Sequence, residues 1–371
     1  MQTCDLALPA DLPPEYPVAV GPLDNVACCR DLSATKREPV TEAEFRRGQV
    51  LDGRFFITEV LCCAGMATIY KAQDLENRRR PVVVKIPLAH YESDAACHQR
   101  FRREESVGLS LDHPLLLKFI PTEADRSRLY LVTEFVAGCT LEDILQKHGP
   151  LAEADALRIT SVLGEAVQAM HDQGVVHNDL KPSNVMIGPD GTLRLMDFGL
   201  ATRLADRRGL FGSFVPVFGT PQYMAPEQVR NRRTDVRTDV YCLGAMLFEM
   251  LTGRVPFHSD DAWENVRHRL SGDPAAPRRL NPVVSEAAEE IVLHALQRKP
   301  EDRYPTVAAF RSELDMPEAV RVTGYARRLK TPRWRLTLEQ TQLLYGVVFG
   351  VGGISFLIGA FIFLSHNLGK R

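Results

Sequence analysis

No two of the eight cysteines stand in a C-x-x-C pair, and no histidines cluster near them. The usual zinc-ligand spacing is therefore missing, and so is any sign of a disulfide framework; the thiols read as reduced and cytosolic. Charge of one sign is not in excess either. A net charge of −2 leaves no global basic field and no reason to expect a nucleic-acid partner. The N-terminal stretch "MQTCDLALPADLPPEYP" has neither a basic start nor an apolar run, so it does not read as a secretory signal. No internal repeat is visible. Glycine is scarce at one telling place: "LCCAGMATIYK", residues 61–71, joins two strand-like stretches and holds a single glycine.

What is present suits a globular protein. The 371 residues, 45% apolar and 25% charged, are enough for one large domain or two smaller ones. Residues 1–48 are proline-rich with scattered charges and no sustained period, which predicts a disordered leader. Then "RFFITEVL" (54–61), "ATIYKAQ" (67–73), "RPVVVKIP" (80–87) and "RLYLVTEFV" (128–136) read as short strands, with a helix over 94–111 between the last two. From about residue 140 helices take over. In 153–173, Ile159, Val162, Leu163, Ala166, Val167 and Met170 recur at helical spacing. In 236–252, Val240, Leu243, Leu247, Phe248 and Leu251 do the same, and Gly253 stops the helix. Further helices fit 261–270, 285–298 and 305–314. Strands first and helices later predict an α+β protein in two lobes, about 53–136 and about 140–315.

The C-terminal part differs. Residues 321–335, "RVTGYARRLKTPRWR", carry six basic residues and no acid, within an expected basic juxtamembrane linker over 316–342. Residues 343–364 carry no charge. A helix of that length covers about 33 Å, a bilayer core, so one transmembrane helix is expected, followed by a short extracytoplasmic tail at 365–371. The basic residues before the span place its N-terminal side in the cytoplasm. Gly346 and Gly350 form a G-x-x-x-G pair, a spacing that suits weak homodimerisation through the span.

Four short stretches carry chemistry: "VVVK" ending at Lys85, "HNDLKPSN" over 177–184, "DFG" over 197–199 and "APE" over 225–227. In this order and spacing they resemble the eukaryotic-type protein kinases, most of all the bacterial membrane-bound serine/threonine kinases, over residues 50–315. The resemblance implies a two-lobed protein-kinase fold, ATP and Mg2+ as cofactors, and protein substrates bearing serine or threonine, the chain itself among them. It implies that Asp179 orients the substrate hydroxyl and that Lys181 neutralises the transferred phosphate. Asn184 and Asp197 would hold the metal. Lys85 would hold the α- and β-phosphates, paired with Glu104, which stands ten residues before Pro114; the neighbouring Glu105 is expected to face solvent. Thr133 would be the gatekeeper, with the backbone of Glu134 and Val136 at the adenine. Asp239 would anchor the catalytic loop, Arg303 would pair with Glu227, and Thr220 would lie on the substrate side.

Two departures stand out. The nucleotide loop would be formed by Cys62, Cys63, Ala64, Gly65, Met66, Ala67 and Ile69, with Cys62, Ala64 and Ala67 where the family has glycine. Fewer backbone amides would then approach the phosphates closely, which predicts weakened nucleotide binding, or else a pseudokinase acting as a membrane-anchored scaffold. The ionic residues are all present and favour the enzyme. Asn178 stands where the family usually has an arginine that receives an activation-loop phosphate, and an amide cannot make that ion pair.

Overall fold

The structure, a computed structural model, describes residues 43–123, 125–205, 222–258 and 262–329. The predicted leader up to residue 42, the span 343–364 with Gly346 and Gly350, and Thr220 lie outside the described residues. Among the described residues no helix is long and apolar enough to cross a membrane.

The N-terminal lobe is a five-stranded antiparallel sheet. Its strands are β1 (Val50–Leu51), β2 (Phe55–Ala64), β3 (Ala67–Asp74), β4 (Arg80–Pro87) and β5 (Leu131–Glu134), in the order β1-β2-β3-β4-β5. Alternation drives it: Tyr70, Ala72, Val82, Val84, Ile86, Tyr130 and Val132 pack with Phe55 and Ile57 in one apolar cluster. The opposite pleat of β4 therefore turns Lys85 toward the other lobe. β5 is shorter than the sequence suggests, because the chain leaves the sheet after Glu134 and Lys71 lies over the Phe135 ring, 4.0 Å from its centroid.

Helix α1 (Ala95–Ser110) follows β4. Asp94 caps it, its carboxylate accepting from the N–H of Ala96 at 2.7 Å and of Cys97 at 3.4 Å. The buried stripe of Cys97, Phe101, Glu104, Val107 and Gly108 follows the helical period, so burial itself puts Glu104 on the inner face.

The second lobe is helical. After β6 (Cys139–Thr140), α2 (Leu141–His148) begins at a reciprocal cap between Thr140 and Asp143 and ends at Gly149, whose positive φ of 73° suits a glycine. Then come α3 (Glu153–Asp172), β7 (Val175–Val176), β8 (Val185–Ile187), β9 (Leu193–Leu195) and β10 (Thr202–Arg203). α4 (Pro226–Val229), α5 (Val236–Thr252), α6 (Ala262–Ser271), α7 (Pro277–Leu280), α8 (Glu286–Ala295), α9 (Val307–Asp315) and α10 (Tyr325–Arg328) follow. β6-β8-β9 form a small sheet and β10 pairs with β7, so the loops after β7 and β9 face the cleft between the lobes. α5 is buried on nearly all sides between α3 and α8. α8 ends earlier than its apolar pattern, because the carbonyls of Gln297 and Arg298 accept from the Arg303 guanidinium and Lys299 precedes Pro300.

The chain does not leave the lobe at α9. Glu290 on α8, buried, accepts hydrogen bonds from the N–H of Thr323 (2.6 Å), Gly324 (3.2 Å) and Tyr325 (3.1 Å), and from the Thr323 hydroxyl. Burial alone would push its carboxyl up, but these donors hold it below its ordinary value. The Tyr325 ring stacks on His294 at 5.3 Å. Part of the stretch expected as linker is thus held against α8.

Candidate active site

Lys85, Glu104 and Asp197 meet at the cleft. Lys85 Nζ donates to both carboxylate oxygens of Glu104 at 2.9 Å and stands 4.0 Å from Asp197 Oδ1. Burial works against the charged ammonium, but Asp197 and Glu104 overcome it and hold Lys85 above its ordinary value. Asp197 is likewise desolvated, yet Lys85, Arg100 and Lys181 keep its carboxyl well below the usual range. Its backbone is left-handed at φ 64°, and Oδ1 accepts from the Gly199 N–H at 3.2 Å. This bend aims the carboxylate into the cleft while Phe198 turns into the core, fully buried.

The loop after β7 is built around a buried carboxylate. Asp239 on α5 accepts from the backbone N–H of His177 (2.8 Å) and Asn178 (2.9 Å), and is bonded to His171 Nε2 at 2.8 Å. Thus fixed, the loop presents Asp179. Lys181 Nζ donates to Asp179 Oδ2 at 2.9 Å, and Asn184 Nδ2 donates to the Asp179 carbonyl at 2.8 Å and to Oδ2 at 3.2 Å. Because Asn184 spends its nitrogen on Asp179, its amide oxygen is the end left for a cation.

The donor set suits magnesium. One carboxylate, Asp197, and one amide oxygen, Asn184, are hard oxygen ligands, and that cation keeps waters and phosphate oxygens as its other ligands. Among the described residues no three His, Cys, Asp or Glu side chains converge into a preformed cage.

The nucleotide-loop residues form a hairpin rather than an open loop. Cys62 pairs with Ile69, Cys63 with Thr68 and Ala64 with Ala67, which leaves a two-residue turn at Gly65 and Met66. Within this stretch only Gly65 is left-handed, at φ 57°, and it is the glycine. Cysteine and alanine therefore occupy backbone positions that cost them no strain. The Met66 carbonyl accepts from the Leu88 N–H at 2.9 Å, tying the turn to the end of β4. Cys63 is exposed, its Sγ 3.2 Å from Thr68 Oγ1. At the far side of the cleft Thr133 is nearly buried, and its hydroxyl donates to the Glu134 carbonyl at 3.3 Å. The Glu134 N–H donates to Lys118 O at 2.9 Å, and Val136 follows in the half-buried connection between the lobes.

Residues 63–314 match the family described as the protein kinase domain. The chain belongs to that family. Among its relatives, the serine/threonine-protein kinase PknB of Mycolicibacterium smegmatis is 36% identical over 290 residues, 76% of this chain and 46% of that protein. PknB of Mycobacterium tuberculosis is 35% identical over 288 residues, 75% of this chain and 46% of that protein. The serine/threonine-protein kinase PrkC of Bacillus subtilis is 33% identical over 293 residues, 79% of this chain and 44% of that protein. The chain spans about half the length of the curated relatives it matches. It is a bacterial kinase domain of the eukaryotic serine/threonine type.

Three features of this kinase domain go beyond the sequence reading. Glu105 does not face solvent; it makes a two-pronged ion pair with Arg126, at 2.7 and 2.8 Å, on the outer side of α1. Arg100, one turn before Glu104, reaches the glycine of the DFG stretch: a Cβ on Gly199 would meet its Nε at 2.8 Å. Spacing of four from Glu104 on the same helix face was the signal that could have found it. Third, the rings of His177, Phe198 and Phe119 follow one another at 5.8 and 5.7 Å, and Phe119 fills the space over Gly108 on α1. This column joins the catalytic loop to the helix that carries Glu104. Arg303, fully buried in its side chain, meets Glu227 at 2.8 Å through both nitrogens and closes the base of the site.

Proposed function

We propose that this protein transfers the γ-phosphate of ATP to serine or threonine hydroxyls of proteins, itself included. The observation that carries the reading is the joint geometry of Lys85, Glu104 and Asp197 with the Asp179–Lys181–Asn184 group across one cleft. Magnesium would supply charge neutralisation on the phosphates, with Asp197 and Asn184 as its protein ligands. Lys85, oriented by Glu104, holds the α- and β-phosphates. Asp179 orients the incoming hydroxyl and accepts its proton. Lys181, beside Asp179, stabilises charge on the group in flight. Thr133, Glu134 and Val136 border the adenine, and the hairpin of residues 62–69 covers the phosphates. That hairpin is unstrained without the family's glycines, which supports a working lid and speaks against a silent scaffold. With Cys62, Ala64 and Ala67 where the family has glycine, fewer backbone amides would approach the phosphates closely, so we expect a high KM for ATP.

The test is transfer of labelled phosphate by the full-length protein to itself and to a basic serine-rich protein, with magnesium. Asp179→Asn should bind ATP as the wild type does while transfer falls by about a thousandfold. Wild-type protein that binds ATP yet transfers nothing would overturn the reading.

We further propose that residues 343–364 tether the kinase to a membrane with the catalytic domain on the cytoplasmic side. The uncharged run and the basic residues before it support this. Full-length protein should stay in the membrane pellet through carbonate extraction. Release into the wash would remove the tether, and with it dimerisation through Gly346 and Gly350.

A further inference from the structure

We propose that the arginine turn between β3 and β4, with the groove beside it, docks an acidic, extended segment of a partner protein. Residues 77–80 form the turn, closed by the Arg80 N–H donating to the Asn77 carbonyl at 2.9 Å. Its two central residues, Arg78 and Arg79, are both left-handed, at φ 51° and 56°. Glycine, asparagine and aspartate dominate such turns, because the Cβ of other residues crowds the following carbonyl. Arginine at both positions is therefore strained, and strain of this kind persists where it serves a site. The fold itself uses neither side chain. Both residues are exposed, and among the described residues neither makes an ion pair. The nearby acids are already engaged: Asp74 and Glu76 pair with Arg54 at 2.8 and 3.3 Å.

A groove of about 650 Å³ on the sheet begins beside this turn. Pro81 of β4, Lys71 and Gln73 of β3, Val60 of β2 and Arg47 ahead of β1 line it, with Glu59 as its one acid. Gln73 pairs with Pro81 across the strands, so the end of the groove adjoins the turn. Lys71 is kept in place by the Phe135 ring, 4.0 Å from its ammonium. It stands about 10 Å before the end of β3 at Asp74. An extended chain rises about 3.3 Å per residue, so about five residues reach from Lys71 to the turn.

Charge selects the occupant. Arg78 and Arg79 at one end, with Lys71 and Arg47 in the groove, attract carboxylates, which guanidinium groups match with paired donors. Val60 and Pro81 offer an apolar side chain a contact between these cations, and Leu75, 37% exposed ahead of the turn, offers another. A bilayer is flat and would reach the turn without reaching Lys71, whereas a peptide strand reaches both. The surface uses none of Lys85, Asp179 and Asp197, so docking does not depend on phosphate transfer.

The experiment follows the anisotropy of a fluorescein-labelled, glutamate-rich peptide of about eight residues as full-length protein in neutral detergent is added. Binding should weaken by about tenfold or more from low to physiological salt, and a glutamine-rich peptide of the same length should not bind. Arg78→Asn combined with Arg79→Gly should weaken binding by about tenfold or more while raising Tm by about 2 °C or more, because the turn then has the residues its backbone favours. Lys71→Gln should weaken binding by about threefold or more and leave transfer to a basic serine-rich protein within about twofold of wild type. No binding by the wild type, binding that both variants keep, or a Tm that falls in the turn variant overturns the proposal. So does a protein that ignores the peptide while discs of phosphatidylglycerol shield Arg78 and Arg79 from phenylglyoxal, which would make the surface a lipid contact. Wild type that binds the peptide yet transfers no phosphate would overturn the kinase reading and leave the docking surface standing.

Discussion

Replacing Asp197 by Asn is expected to abolish the dependence of ATP binding on magnesium and to lower phosphate transfer by about a thousandfold or more. The amide keeps the shape of the carboxylate and can still accept from the Gly199 N–H, so the bend at φ 64° survives. What it loses is the charge, which three cations, Lys85, Arg100 and Lys181, surround. With the amide in place those cations lose one of the anions that balance them, and the metal would keep only the neutral oxygen of Asn184. Titration of ATP with and without magnesium should give the same affinity for the variant. Turnover at the wild-type rate would show that another residue is the principal metal ligand.

Gly108→Val should also lower transfer, from a site that touches no substrate. A Cβ at this position would come within 2.3 Å of the Phe119 ring, closer than real atoms approach. The ring has no room to retreat, because Phe198 stands behind it at 5.7 Å and His177 behind Phe198. The strain must therefore move α1, and α1 carries Glu104 away from Lys85. Overpacking of this kind costs about 1–3 kcal/mol. For a domain of this size that is a fall of about 2–12 °C in Tm. Transfer should drop by about tenfold or more, while Gly108→Ala gives an intermediate loss in both readouts. Unchanged Tm together with unchanged transfer would show that the column of rings does not position α1.

Much of this could be read from the chain. β4 and α5 have the bounds that their patterns predict, because each is a buried element whose period is set by its own side chains. The choice of Glu104 over Glu105 rested on spacing to Pro114, and the structure puts Glu104 on Lys85. The partner of Glu105 was not legible, since Arg126 is 21 residues away and only the fold brings it near. The shape of the nucleotide loop was hidden for a related reason. Counting missing glycines treats each as a required left-handed turn, whereas strand pairing through Ala64 and Ala67 confines that requirement to Gly65. Asn178 could be seen as a departure, but its bonds to Leu200, Thr202 and Gln228 connect three separate stretches and have no sequence signature.

The grip of Glu290 on Thr323, Gly324 and Tyr325 sets where this domain ends. The family pattern ends at residue 314, and a fragment trimmed there would leave a buried carboxylate on α8 stripped of its donors and His294 bare on one face. A fragment that keeps this contact extends at least through Tyr325, and fragments ending sooner should express poorly for reasons unrelated to catalysis.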